Sequence, residues 1–308
     1  MKTFLDKPAR RQRAIWRSMA TFCMAASLST IGVASYAAEG TAPASNPGAP
    51  ATPAAADASL AAVIAGPQRK PADQARDVYR HPLETLQFFQ LRPDQTVIEI
   101  APGNGWYTDI LAPFLRDHGS LYEALYLHDG PPSPEASQAA DRFRGKLAAS
   151  PGVYGTVTVG SLQAGRFEGI DPPGGADRVL TFRNIHNWIK DGHFDDNLRA
   201  FYKVLKPGGM LGVEEHRANP GTSLQQMISS GYVTEAYIIE HARAAGFKLA
   251  GRSEINSNPR DTKDYPDGVW TLPPTLADGD QSRARYLAIG ESDRMTLRFI
   301  KPGRQAKR

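Results

Sequence analysis

The stretch Thr96-Val97-Ile98-Glu99-Ile100-Ala101-Pro102-Gly103-Asn104-Gly105-Trp106 constrains the fold most tightly. Val97, Ile98 and Ile100 form a short β-branched run that suits a strand buried on both faces. A Pro-Gly-Asn-Gly turn leads into residues 106–115, where Ile110, Leu111 and Phe114 predict a helix. Strand, glycine turn and helix together bring backbone N–H groups and a helix N-terminus close to a ligand. Gly103 and Gly105 permit the tight turn and the close approach. The dinucleotide fingerprint G-x-G-x-x-G is absent, because Ala101 and Thr108 stand where glycines are required.

Beyond this unit the pattern keeps alternating. Residues 75–89 read as helical with a fresh start at Pro82, and residues 131–149 as a loop leading into a helix. Further helices are expected at 195–205 and 234–245, and further strands at 121–127, 153–159, 178–182, 210–214, 247–255 and 294–300. Such alternation predicts an α/β domain with a mainly parallel sheet covered on both faces.

The ends of the chain are of another kind. Lys2, Lys7, Arg10, Arg11, Arg13 and Arg17 precede an apolar run over 19–34, and Ser35-Tyr36-Ala37 suits a signal peptidase. A signal peptide cleaved after Ala37 and a periplasmic or secreted location are therefore expected. The run is shorter than the roughly 20 residues of a membrane span, so no stable span is expected after cleavage. The chain carries 36 Lys and Arg against 32 Asp and Glu; without the six basic residues and the one acid of 1–37, 30 face 31. The basic excess belongs to the targeting segment, and nothing global points to nucleic acid. Cys23, the single cysteine, falls within the signal, so no disulfide is expected in the mature protein. The Ala/Pro-rich residues 38–58 are expected to be a disordered linker, 59–302 the folded domain and 303–308 a basic tail.

In an open parallel sheet the ligand crevice lies beyond the carboxyl ends of the strands. The candidates are accordingly residues 101–105, the segment Arg183-Asn184-Ile185-His186-Asn187-Trp188, and Glu215-His216-Arg217. The long excursion 256–293, with Asp261, Asp264, Tyr265 and Trp270, is too long for a plain connection and is expected to form a substrate-binding lid. His186 and His216, without cysteine partners, offer too few ligands for zinc, so no metal is expected. No G-x-S-x-G elbow or P-loop is present.

The acid-x-G-x-G-x-G pattern, with Glu99 as the acid, Ala101 for the first glycine and Gly103 and Gly105 for the others, resembles the first motif of class I S-adenosylmethionine-dependent methyltransferases. Asp177 to Trp188, Leu205-Lys206-Pro207-Gly208-Gly209, Ala245-Gly246-Phe247 and Glu291-Ser292-Asp293-Arg294-Met295-Thr296 extend the likeness across about residues 70–302, to the signal-bearing bacterial methyltransferases of that fold. The resemblance implies a Rossmann-like sheet of seven strands, the seventh antiparallel, and S-adenosylmethionine as cofactor. Glu99, Ala101, Pro102, Gly103, Asn104, Gly105 and Glu123 would hold that cofactor. Two positions depart from the pattern: the ribose acid falls near Leu125, leaving Glu123 or Asp129 as substitutes, and Ser161 stands in the adenine-side place.

The implied chemistry is methyl transfer to an unassigned small-molecule acceptor. His186, whose ordinary pKa of ~6.5 suits a general base, is the first choice for that role, His216 the second, with Arg183 beside them. Asn184, Trp188, Asp264, Tyr265 and Trp270 are the expected substrate contacts. Two other readings stand next to it: a non-catalytic binding protein of the periplasm built on a degenerate methyltransferase fold, and a secreted oxidoreductase.

Overall fold

The structure, a computed structural model, describes residues 53 to 303. The expected signal segment, its cleavage site, residues 38–52 of the expected linker and residues 304–308 of the tail lie outside them. The helix Pro53–Ile64 begins within the stretch read as linker, and its Ala56 and Leu60 are buried. Alanine is the strongest helix former, and Leu60 gives this helix one apolar anchor beside Leu86 and Leu111. Composition alone had hidden that anchor.

Eight strands follow: β1 Thr96–Ile100, β2 Ser120–Leu127, β3 Thr158–Gln163, β4 Arg166–Glu168, β5 Ala176–Phe182, β6 Leu205–His216, β7 Lys248–Ser253 and β8 Arg294–Ile300. They form one sheet in the order β4-β3-β2-β1-β5-β6-β8-β7. The run from β3 through β6 is parallel, whereas β8 is antiparallel to both β6 and β7 between which it lies. This is the strand reversal that the resemblance implied.

Two details differ from expectation. The count is eight rather than seven, because Ala164 and Gly165, at φ 43° and 74°, turn the chain so that β4 folds back on β3. The strand expected at 153–159 begins only at Thr158, since Pro151 opens the short helix Pro151–Tyr154. Val153 and Tyr154 have strand propensity, and a proline-initiated turn overrides it.

Side-chain alternation sorts the strand residues between the two faces. Ile98 and Ile100 point into the cluster built with Trp188, Leu198 and Phe201, while Val97, Leu121 and Leu125 join Phe89, Ile110 and Leu111 on the other side. Glu99 and Glu123 are register partners on β1 and β2 and therefore share the second face. On β6 the same alternation sends Glu214 to one face and Glu215 to the other. Among the described residues no helix is long and apolar enough to cross a membrane.

Candidate active site

A cavity of about 680 Å³ opens beyond the carboxyl ends of β1 and β5. The strand order reverses there, with β2 to β4 on one side of β1 and β5 to β8 on the other. Ala101 and Arg183, each directly after its strand, take left-handed backbone at φ 52° and 62°. A non-glycine residue in that region costs on the order of 1–3 kcal/mol, so the sheet holds both bends under strain at the cavity's edge. Asn184 ties the two together: its Nδ2 donates to the Ile100 carbonyl (3.0 Å) and to Thr181 Oγ1 (3.2 Å).

The two glycines of the turn differ. A Cβ on Gly103 would meet nothing within 4 Å, and Gly103 lines the cavity. A Cβ on Gly105 would strike Lys146 Nζ at 2.9 Å and Phe143 at 3.1 Å. Gly105 thus admits the helix Pro134–Ala149, and a side chain there would disturb that packing before it met any ligand.

His186 and His216 come from separate segments but lie with ring centroids 5.4 Å apart on the same wall. Glu215 Oε1 sits 3.0 Å from His186 Nδ1 and also accepts from the His216 N–H, while its Oε2 accepts from the Ile185 N–H. A carboxylate can only accept, so it places the proton on Nδ1 and leaves His186 Nε2 bare. His216 Nδ1 pairs with Ser292 Oγ at 2.6 Å. Burial, followed by the nearby His186 and Arg183, pushes His216 well below its ordinary pKa, so it is neutral at pH 7. His186, Glu215 and His216 bring ligand atoms within 4.8 Å of one another, closer than their sequence positions suggested. Glu215, however, is already bound to two backbone N–H groups, and the arginines around the pair repel a cation.

An arginine wall, which sequence reasoning largely missed, faces these histidines. Glu291 accepts from Arg76 Nε (2.6 Å) and Arg294 Nη1 (3.2 Å); Glu214 accepts from Arg294 Nη1 (2.9 Å) and the Tyr107 hydroxyl (3.1 Å). Arg80 is buried with its guanidinium 3.7 Å over the Trp106 ring, and burial lowers its pKa to about 9. Arg183 reaches no closer than 3.8 Å to Glu291, and burial lowers its pKa as well. The only sequence signal for Arg80 was its place in a helix ahead of Pro82.

At the other end Glu99 accepts from Thr108 Oγ1 (2.9 Å), and burial raises its pKa to about 7. Burial, then the charge of Glu99, raises Glu123 well above its ordinary value.

Ala101, Pro102, Gly103, Asn104, Glu99, Arg183, Asn184, His186, His216 and Trp270 all line the cavity. Five other candidates do not. Gly105 packs against a helix, and Glu123 is sealed under the sheet surface behind Glu99. Trp188 is fully buried against Tyr126 and Phe201, because a short helix Ile185–Lys190 turns it into the core. Asp264 is exposed and accepts from Thr262 Oγ1. Tyr265 stacks edgewise on Tyr286 and accepts at its hydroxyl from the Thr262 N–H. Asp261 anchors the excursion by accepting from the Tyr232 hydroxyl (3.0 Å) and the Asp293 N–H (2.7 Å). With its own apolar cluster around Tyr232 and Leu272, the excursion is a packed cap. Only Val269, Trp270 and residues 273–275 and 291–292 reach the cavity from it. Asp129, the other ribose substitute, pairs with His193 at 2.7 Å and is 66% exposed.

No protein-family model and no curated protein matches this chain. Solved structures do. The [4+2]-cyclase SpnF is 18% identical over 80% of this chain and 93% of its own, at a TM-score of 0.51. A protein from Galdieria sulphuraria, proposed to be a sarcosine dimethylglycine methyltransferase, is 11% identical over 77% and 89%, at 0.50. A SAM-dependent methyltransferase from Aquifex aeolicus is 13% identical over 80% and 98%, at 0.49. A cyclase and a methyltransferase share the architecture, so the fold does not select the reaction. With its parallel sheet and reversed β8, the chain has the α/β fold of the class I methyltransferases.

Proposed function

We propose that the protein is an S-adenosylmethionine-dependent methyltransferase acting on a small molecule. The observation that carries the reading is the Glu215-oriented His186 facing the open Gly103 turn across one cavity. The residues at the methionine end fit the cofactor. Gly103 leaves room for close backbone approach, Asp73 offers a carboxylate to an ammonium, and Trp106 supplies an apolar wall. The ribose end fits less well, because neither Glu123 nor Asp129 lines the cavity. When bound, the cofactor supplies an activated methyl group for in-line transfer to a nucleophile.

The chain's own contribution follows from the geometry. The strained bends at Ala101 and Arg183 fix both walls, so that two ligands meet at a set distance, and proximity is the main source of rate. Glu215 holds His186 with Nε2 free to take a proton from the acceptor, as a carboxylate–histidine dyad does. Trp270, with its ring 5.9 Å from His186, closes the cap side and excludes water.

Calorimetric titration of S-adenosylmethionine tests the assignment directly. His186→Ala should leave cofactor affinity unchanged and lower turnover about 10²–10⁴-fold. Absence of cofactor binding would favour the second reading, a methyltransferase fold used as a binding protein, which the missing ribose carboxylate supports. Export from the cytosol is part of the proposal, resting on the basic-apolar-Ser-x-Ala order of residues 1–37. A native mass lacking those residues is the expected result, and a mass retaining them would refute export.

A further inference from the structure

Arg80 and Arg183 lie on the cavity wall; Arg80 has no ion pair, and Arg183 has only a long one, 3.8 Å to Glu291, which Arg76 and Arg294 hold more closely. Arg80 is 1% exposed, and its Nε and Nη1 have no hydrogen-bond partner; Arg183 Nε has none either. The nearby carboxylates are already committed, Glu291 to Arg76 and Arg294, and Glu214 to Arg294 and Tyr107. Glu215 serves backbone N–H groups and His186. Beside the histidines, Arg76, Arg80, Arg183 and Arg294 face Glu214, Glu215 and Glu291, and farther along the cavity Lys70, Arg142 and Lys146 stand against Asp73 and Glu99, so the excess stays positive. Burying an unpaired charge is costly unless something pairs with it, and a guanidinium cannot relieve the cost by losing its proton at neutral pH. The cofactor does not balance the excess: its carboxylate, ammonium and sulfonium sum to one more positive charge.

We propose that Arg80 and Arg183 form an anion subsite that receives a carboxylate or phosphate group on the acceptor. The word acceptor rests on the methyltransferase reading; the anion site does not. Arg80's planar fork, 3.7 Å over the Trp106 ring centroid, suits two parallel N–H···O contacts to such a group. The anion would then lie in the same cavity, facing His186 and His216, with the neutral His216 and the bare His186 Nε2 beside the rest of the acceptor.

Thermal melts and calorimetry of the full chain with inorganic phosphate and with succinate test this without cofactor. At least one of the two should raise the melting temperature by several degrees. Arg80→Met and Arg183→Gln should each weaken that anion's binding tenfold or more. Arg80→Met keeps an apolar stem on Trp106 and removes an unpaired charge, so its anion-free melting temperature should equal or exceed the native one. If that variant fails to fold, Arg183→Gln decides alone. No response to either anion, or a response retained in both variants, overturns the proposal. Competition between the bound anion and S-adenosylmethionine would also overturn it, by giving the arginines to the cofactor's own carboxylate. Binding of the anion without any cofactor binding would keep the anion site and refute the methyltransferase reading.

Discussion

Two pairs of like-charged groups flank the cavity, Glu99 with Glu123 behind it and Arg80 with Arg183, and they resolve their repulsion in opposite ways. Glu99 and Glu123 sit side by side on β1 and β2 with Thr108 as their hydroxyl neighbour. Carboxylates so placed hold a proton: burial lifts Glu99 to about 7, and burial with the charge of Glu99 lifts Glu123 well above its ordinary value. Arg80 and Arg183 have no such exit: even lowered to about 9, Arg80 remains charged at pH 7. The difference separates structure from function. A pair that can neutralise itself needs no ligand, whereas a pair that cannot must be met by one.

The largest way to break the comparison is to worsen the arginine end. Glu214→Gln removes a carboxylate that binds Arg294 and Tyr107 in the fully buried network. Stripping one partner from a buried ion pair costs about 3–5 kcal/mol, and urea denaturation should show a loss of that size. Added phosphate should recover part of it. Unchanged stability would mean that the arginines do not depend on Glu214.

A smaller effect is expected at the carboxylate end. Folded Glu99 keeps its proton up to about pH 7, whereas its ordinary value is 4.5. Between those values the folded chain binds more protons than the unfolded one, so stability falls as pH rises through the window. Glu123, raised well above its ordinary value by burial and by Glu99, contributes in the same direction. Glu123→Gln supplies a permanent donor to Glu99 and should add about 1 kcal/mol at pH 8, with little change at pH 5. Denaturation curves at both pH values check this, and a variant less stable at pH 8 would count against a shared proton.

How much of this was legible in the sequence follows from the range of the interactions. The β1–turn–helix unit rests on a local pattern and was readable, whereas the reversal of β8 was only what the resemblance implied. Ala101 to Asn104, Arg183 and both histidines were readable too, because residues after parallel strands must meet at the carboxyl edge. Trp188 was misplaced because an aromatic after a strand looks the same whether its short helix turns outward or inward. Asp264 and Tyr265 were misplaced because nothing in the excursion's composition reveals that it packs as a cap around Tyr232 and Asp261. Arg80 was missed because helix arginines are normally solvated, and its burial depends on Trp106, 26 positions away. Glu215 was visible beside His216, yet its partner His186 lies on another segment, so its orienting role required the fold.

The most direct test observes both pairs in one sample. Carbon-13 and nitrogen-15 NMR of the labelled, ligand-free protein, titrated from pH 5 to 9, reports the glutamate carboxyl carbons and the arginine Nε nuclei together. The expected titration shows Glu99 near its midpoint at pH 7, Glu123 losing its proton well above its ordinary value, and Arg80 and Arg183 fully charged at pH 7. Glu99 and Glu123 both ionised near their ordinary pKa, or Arg80 neutral at pH 7, would contradict the division between a self-neutralising pair and a ligand-demanding one.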